Sequence, residues 1–90
     1  MTVAETIEAK LRDALTISQL ELIDDSARHA GHSGAQPGGE SHFILSLVSP
    51  DFRSKSRVAR QREIYRILKD EMAGPIHALS LDLRSDEEAA

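Results

Sequence analysis

Ninety residues carry 15 acidic and 11 basic side chains, four histidines and no cysteine, for a formal net charge of −4. A chain this short buries roughly 60–65% of its unfolded surface and supports one core rather than two, so a single small domain is expected. The missing cysteine excludes disulfides, thiolate ligands and thiol nucleophiles, and the acidic balance opposes general attraction to nucleic acid.

Met1 opens into a polar, amphipathic and acidic stretch. It has neither the apolar run of a signal peptide or membrane span nor the acid-poor composition of a transit peptide, so a cytoplasmic location without membrane association is expected. Thr2 and Glu5 then have capping-box spacing, and Ile7, Leu11, Ala14 and Leu15 recur at helical intervals, which predicts a first helix ending near Leu15. Leu20 to Asp24 is a short apolar and acidic run. From His42 to Val48, the residues Phe43, Leu45 and Leu47 alternate with His42, Ile44, Ser46 and Val48. Two antiparallel strands are predicted from these runs. Between them, Ser26 to Glu40 is rich in Gly, Ser, Ala, Pro and His and far exceeds the roughly 2–5 residues of an ordinary hairpin loop, which marks it as functional or disordered.

Pro50 breaks the second strand, and the segment from Ser56 to about Met72 predicts one amphipathic helix. Its apolar stripe is Val58, Tyr65, Leu68 and Met72, with Ile64 and Ile67 flanking, and Gly74-Pro75 ends it. Ile76 to Leu83 predicts a third strand, with His77, Leu79, Leu81 and Leu83 on one face and Ile76, Ala78, Ser80 and Asp82 on the other. The order is helix-strand-strand-helix-strand. That is an α/β (α+β) domain, a three-stranded mixed sheet covered by helices, in which the second and third strands run parallel through a right-handed crossover if they are neighbours. Residues 1–84 are expected to form the domain and 85–90 a short acidic tail, and no internal repeat is present.

His29-Ala-Gly-His32 has a spacing that places two imidazoles on one metal ion, although exposed glycine-rich loops also carry histidines for their polarity alone. Strand alternation puts His77 on the leucine face, where partial burial is expected, either as a core histidine bonded to a backbone carbonyl or as a ligand at a sheet end. His42 opens the second strand opposite Phe43 and reads as an edge residue with no ligand role. Arg53, Lys55, Arg57, Arg60, Arg62, Arg66 and Lys69 crowd one segment, with Glu63 as its only acid before Asp70. This is either a positive patch for phosphates or an acidic partner, or a solvated helix face. No nucleophile elbow, phosphate-binding glycine motif or carboxylate pair on a rigid element is present, so neither an enzyme nor a small-molecule substrate is expected.

Read in order, Asp25-Ser26, His29-Ala30-Gly31-His32, Glu40-Ser41-His42-Phe43, Val48-Ser49, Phe52, Arg60-Gln61-Arg62, Tyr65 and Ile76-His77-Ala78-Leu79 resemble the BolA family over nearly the whole chain. The Glu-Ser-His-Phe strand start and the closing Ile-His-Ala-Leu, at this separation, are the specific part. The resemblance implies a type II KH-like fold, in agreement with the element order. It also implies a non-enzymatic partner of a monothiol glutaredoxin, the two proteins sharing a bridging [2Fe–2S] cluster and the glutaredoxin supplying its cysteine and bound glutathione. The implied setting is iron–sulfur cluster assembly or trafficking, or iron and redox signalling. The family is linked as well to transcription regulation and stress response, which implies a DNA-binding alternative with Arg53, Lys55, Arg57, Arg60 and Arg62 on phosphates. In the family's histidine-bearing loop subtype, the loop histidine and the tetrapeptide histidine are the cluster ligands. Here these are His29 and His77, with His32 as a spare ligand. Imidazoles on one iron and sulfur donors on the other give a Rieske-type mixed donor set. Ser54 and Gln61 stand where the family usually has glycine and histidine. The family's proline and tryptophan near the C-terminus are missing, while Glu87 or Glu88 retains the acidic end.

Overall fold

The computed structural model describes residues 2–25 and 42–90. Helix α1 spans Val3–Ala14 and begins at a capping box, in which Thr2 Oγ1 accepts from the Glu5 amide and Glu5 returns a carboxylate to the Thr2 amide. Such a cap stabilises a helix start by about 1 kcal/mol. Ile7 and Leu11 form its buried stripe, and Leu15 extends the stripe just past the helix end.

The sheet contains β1 (Gln19–Asp24), β2 (His42–Val48) and β3 (Ala78–Arg84), in the order β1-β2-β3. β1 pairs antiparallel with β2 and β2 parallel with β3, as the alternation and the intervening helix predict. The registers stack three rows on the core face: Leu20, Leu47 and Leu83; Leu22, Leu45 and Leu81; and Phe43 with Leu79. Phe43, Leu45 and Leu47 of the central strand are buried, and their flanking partners are half-buried. The outer face carries the other parity, including Ile23, Ile44, Ser46 and Asp82.

After β2, a 3₁₀ turn, Pro50–Phe52, drives Phe52 fully into the core. Ser49 fixes this corner: its hydroxyl donates to the Thr16 carbonyl and accepts from the Asp51 amide, and its own amide donates to the Arg84 carbonyl. Ser54 then takes a φ of 61°, the left-handed conformation that favours glycine, so the serine occupies a glycine backbone geometry at a cost of about 1–2 kcal/mol.

The single long helix expected from Ser56 to Met72 is divided. Helix α2 (Arg57–Ile67) starts on a Ser56 cap, and α3 (Lys69–Ala73) follows after Leu68 leaves the helical region at φ −100°, ψ 24°. The expected stripe holds in part: Leu68 and Met72 face the core, and Val58 and Tyr65 do not. Ile64 and Leu68 are fully buried, whereas Val58 and Tyr65 are 53% and 42% exposed. The pair Ile64 and Leu68 is spaced i, i+4 and continues into Met72, and this row, one step round the helix from Val58 and Tyr65, meets α1 and the sheet. Gln61 lines a shallow groove with Arg57, Arg60, Leu81, Asp82 and Leu83.

The tail is helical as well: α4 (Asp86–Ala89) is capped reciprocally by Ser85 and Glu88, and Ser85 is buried. Among the described residues, no helix is long and apolar enough to cross a membrane.

The buried row predicts unequal costs for two truncations on one helix. Ile64→Ala should lower the unfolding free energy by about 2–5 kcal/mol, and Val58→Ala by about 0.5 kcal/mol or less. Urea midpoints report both, and equal losses would contradict the observed helix orientation.

Candidate functional site

The described residues present two chemically distinct ends of the sheet. At one end lie the starts of β2 and β3. The parallel ladder sets His42 opposite Ala78, so His77 stands one residue beyond the paired strand. The two imidazole rings stack with centroids 6.1 Å apart and planes inclined by 28°. His77 is exposed and His42 half-buried.

This corrects the expectation that His77 is partly buried on the leucine face. β3 begins at Ala78, and Ile76 rather than His77 turns into the core. The turn that does this is well tied down. The Ile76 and Gly74 amides both donate to the Glu71 carbonyl, at 3.0 and 3.2 Å. The buried Glu71 carboxylate accepts both its bonds from Lys10 Nζ on α1, at 2.7 and 2.9 Å, an arrangement that holds the lysine pKa above its ordinary value. The chain from Lys10 to Glu71 to Ile76 therefore fixes the backbone that presents His77 to solvent.

An exposed imidazole on a fixed backbone suits a metal centre shared with a second protein, because a buried ring could not reach donors on another surface. A cysteine-free chain offers nitrogen rather than sulfur, which matches the imidazole half of a mixed donor set. His29 and His32 lie outside the described residues. His42, read from the sequence as an edge residue with no ligand role, lies beside His77 because parallel pairing sets it opposite Ala78.

The opposite end of the sheet holds the basic cluster and the acidic tail. Arg53 makes a two-bond pair with the Asp86 carboxylate. Arg60 is held on several sides: Nη1 donates to the Leu83 carbonyl at 3.2 Å and to Glu88 at 2.6 Å, Nε donates to the Lys55 carbonyl, and the guanidinium lies 5.8 Å from the Phe52 ring centroid. Lys55 bonds Glu63 at 2.7 Å. Three of the five basic residues singled out for phosphate are thus engaged by carboxylates, while Arg57 and Arg62 stand exposed on α2.

Glu88 is pushed down to about 2, first by its bond from Arg60 and next by the Ser85 amide. The Arg53 pair likewise holds Asp86 below its usual range. A depressed carboxylate stabilises the fold above its unfolded pKa and loses that contribution as pH falls toward the folded value. Wild-type thermal stability should therefore fall more steeply than that of Glu88→Gln between about pH 5 and 2. The two curves should lie furthest apart near neutrality and draw together near pH 2, as followed by circular dichroism melts. A separation independent of pH would contradict the Arg60–Glu88 latch.

Comparisons with known proteins agree with this architecture. The family profile described as BolA-like protein matches residues 11–88. The BolA domain of SufE1 from Arabidopsis thaliana superposes with a TM-score of 0.82 at 42% identity, covering 93% of this chain and 92% of that domain. BolA1 from the same plant gives a TM-score of 0.86 at 29% identity over 100% of this chain and 99% of the other. The DNA-binding transcriptional regulator BolA of Escherichia coli is 41% identical over 81 residues, which span 90% of this chain and 73% of that protein. By profile, sequence and fold together, the chain belongs to the BolA-like protein family.

Proposed function

We propose that this protein is a non-enzymatic adaptor that binds a monothiol glutaredoxin and contributes imidazole ligands to a [2Fe–2S] cluster held between the two proteins, in cluster assembly or trafficking or in iron and redox signalling. The observation that carries the reading is the exposed His77 at the open end of the β2–β3 ladder, on a backbone fixed through Glu71 and Lys10. The family's ligand pattern assigns the second imidazole to His29 and keeps His32 in reserve. The bound cluster would supply a redox-responsive link between two proteins. This chain's residues bind and orient it, with the thiolate and glutathione coming from the partner.

The test is anaerobic reconstitution of wild type and His77→Ala with a monothiol glutaredoxin, glutathione, iron and sulfide. Wild type should form a heterocomplex whose visible absorption and circular dichroism differ from those of glutaredoxin alone. His77→Ala should lose that spectrum while melting within about 0.5 kcal/mol of wild type, because the residue is at the surface. Identical spectra for the two chains would reject the assignment.

A second reading, a DNA-binding regulator, has its own support in the exposed Arg57 and Arg62 on α2 and in the description of the Escherichia coli relative. Arg53, Lys55 and Arg60 would have to exchange Asp86, Glu63 and Glu88 for phosphates. This reading expects duplex binding that weakens steeply with salt and weakens further in Arg57→Ala/Arg62→Ala, and absence of binding at low salt removes it.

A further inference from the structure

We propose that His42 and His77 together form a binding site for a single borderline divalent cation of the zinc and copper class, one that this chain offers without any partner. The family pattern joins His77 to a loop histidine. The structure places His77 beside His42, and the two rings sit 6.1 Å apart.

Three features make the pair a site rather than a chance neighbour contact. First, His42 opens the parallel ladder opposite Ala78 and His77 is the residue just before Ala78, so the sheet brings their backbones together. The Asp25 amide adds a bond of 2.7 Å to the His42 carbonyl, which ties the start of β2 to the end of β1. Second, metal–nitrogen bonds of about 2.0–2.1 Å place two imidazoles on one ion with ring centroids about 5–6 Å apart, close to the spacing observed. The planes are inclined by only 28°, so chelation needs a rotation of the exposed His77 ring that turns a nitrogen edge toward His42. Third, imidazole nitrogen is the donor that zinc, copper and nickel share, whereas magnesium and calcium select oxygen. Among the described residues no third His, Cys, Asp or Glu completes a ligand group.

The consequence for the adaptor reading, on which this clause alone rests, is competition. An ion held by His42 and His77 withholds His77 from a cluster shared with glutaredoxin.

The experiment uses the isolated full chain and zinc chloride alone. His29→Ala/His32→Ala removes the other histidine pair, and calorimetric titration of that variant should give one zinc per chain. Adding His42→Ala or His77→Ala to it should weaken binding roughly tenfold or more. Circular dichroism melts confirm that each variant is folded, and His77→Ala, at an exposed position, keeps the test decisive where His42→Ala fails to fold. The proposal is overturned if His29→Ala/His32→Ala binds no zinc, or if the further loss of His42 or of His77 in a folded variant leaves the affinity unchanged. Because no glutaredoxin is present, failure here is separate from failure of the adaptor reading.

Discussion

The parallel register of β2 with β3 is the constraint on which the rest of this molecule depends. Pairing His42 with Ala78 and Val48 with Arg84 gives the sheet two ends of different chemistry. Seven-residue strands separate those ends by about 20 Å. The strand starts gather two imidazoles, with the outer-face residues Ile23 and Ile44 close behind them. The strand finishes gather Ser49, the 3₁₀ turn and the acidic helix α4. A shift of one residue in that register would send His42 and the leucines to the wrong faces at once, and the buried Phe43, Leu45 and Leu47 oppose it.

Charge is organised along the same axis. The chain is acidic overall and its cations are concentrated after Pro50, an arrangement that on its own looks like a phosphate-binding face. The fold answers part of that charge internally. Asp86 and Glu88, carried on α4, engage Arg53 and Arg60, and Glu63 engages Lys55. The bonds to Arg60 converge on a side chain only 11% exposed, so this arginine works as a structural clamp between α2, β3 and α4. Arg57 and Arg62, on the outer flank of α2, stay exposed to solvent or a partner.

Much of the fold was legible in the residues. The Thr2/Glu5 spacing gave α1, the alternation from Phe43 to Leu47 gave β2 with its bounds, and Gly74-Pro75 gave the helix stop. Where the reading failed, tertiary contacts decided. Leu68 and Met72 extend an apolar period equally well through Val58 and Tyr65 or through Ile64, and only the position of α1 and the sheet selects Ile64. His77 follows strand parity on paper, yet the Glu71 carbonyl captures the Ile76 amide and delays the strand by two residues. The acidic tail shows no apolar period, and its order comes from Ser85, Glu88 and two arginines distant in sequence. The His42–His77 proximity is likewise a product of strand pairing, which no local pattern records.

The proposed working surface is the strand-start end rather than the basic flank of α2. It is tested most directly by titrating the isotopically labelled chain with an unlabelled, cluster-free monothiol glutaredoxin and following backbone amide shifts. The largest changes should fall on Ile23, Asp25, His42, Ile44, His77 and Ala78, with Arg57, Arg62, Asp86 and Glu88 unmoved. Changes confined to α2 and α4, with the two histidines silent, would contradict it.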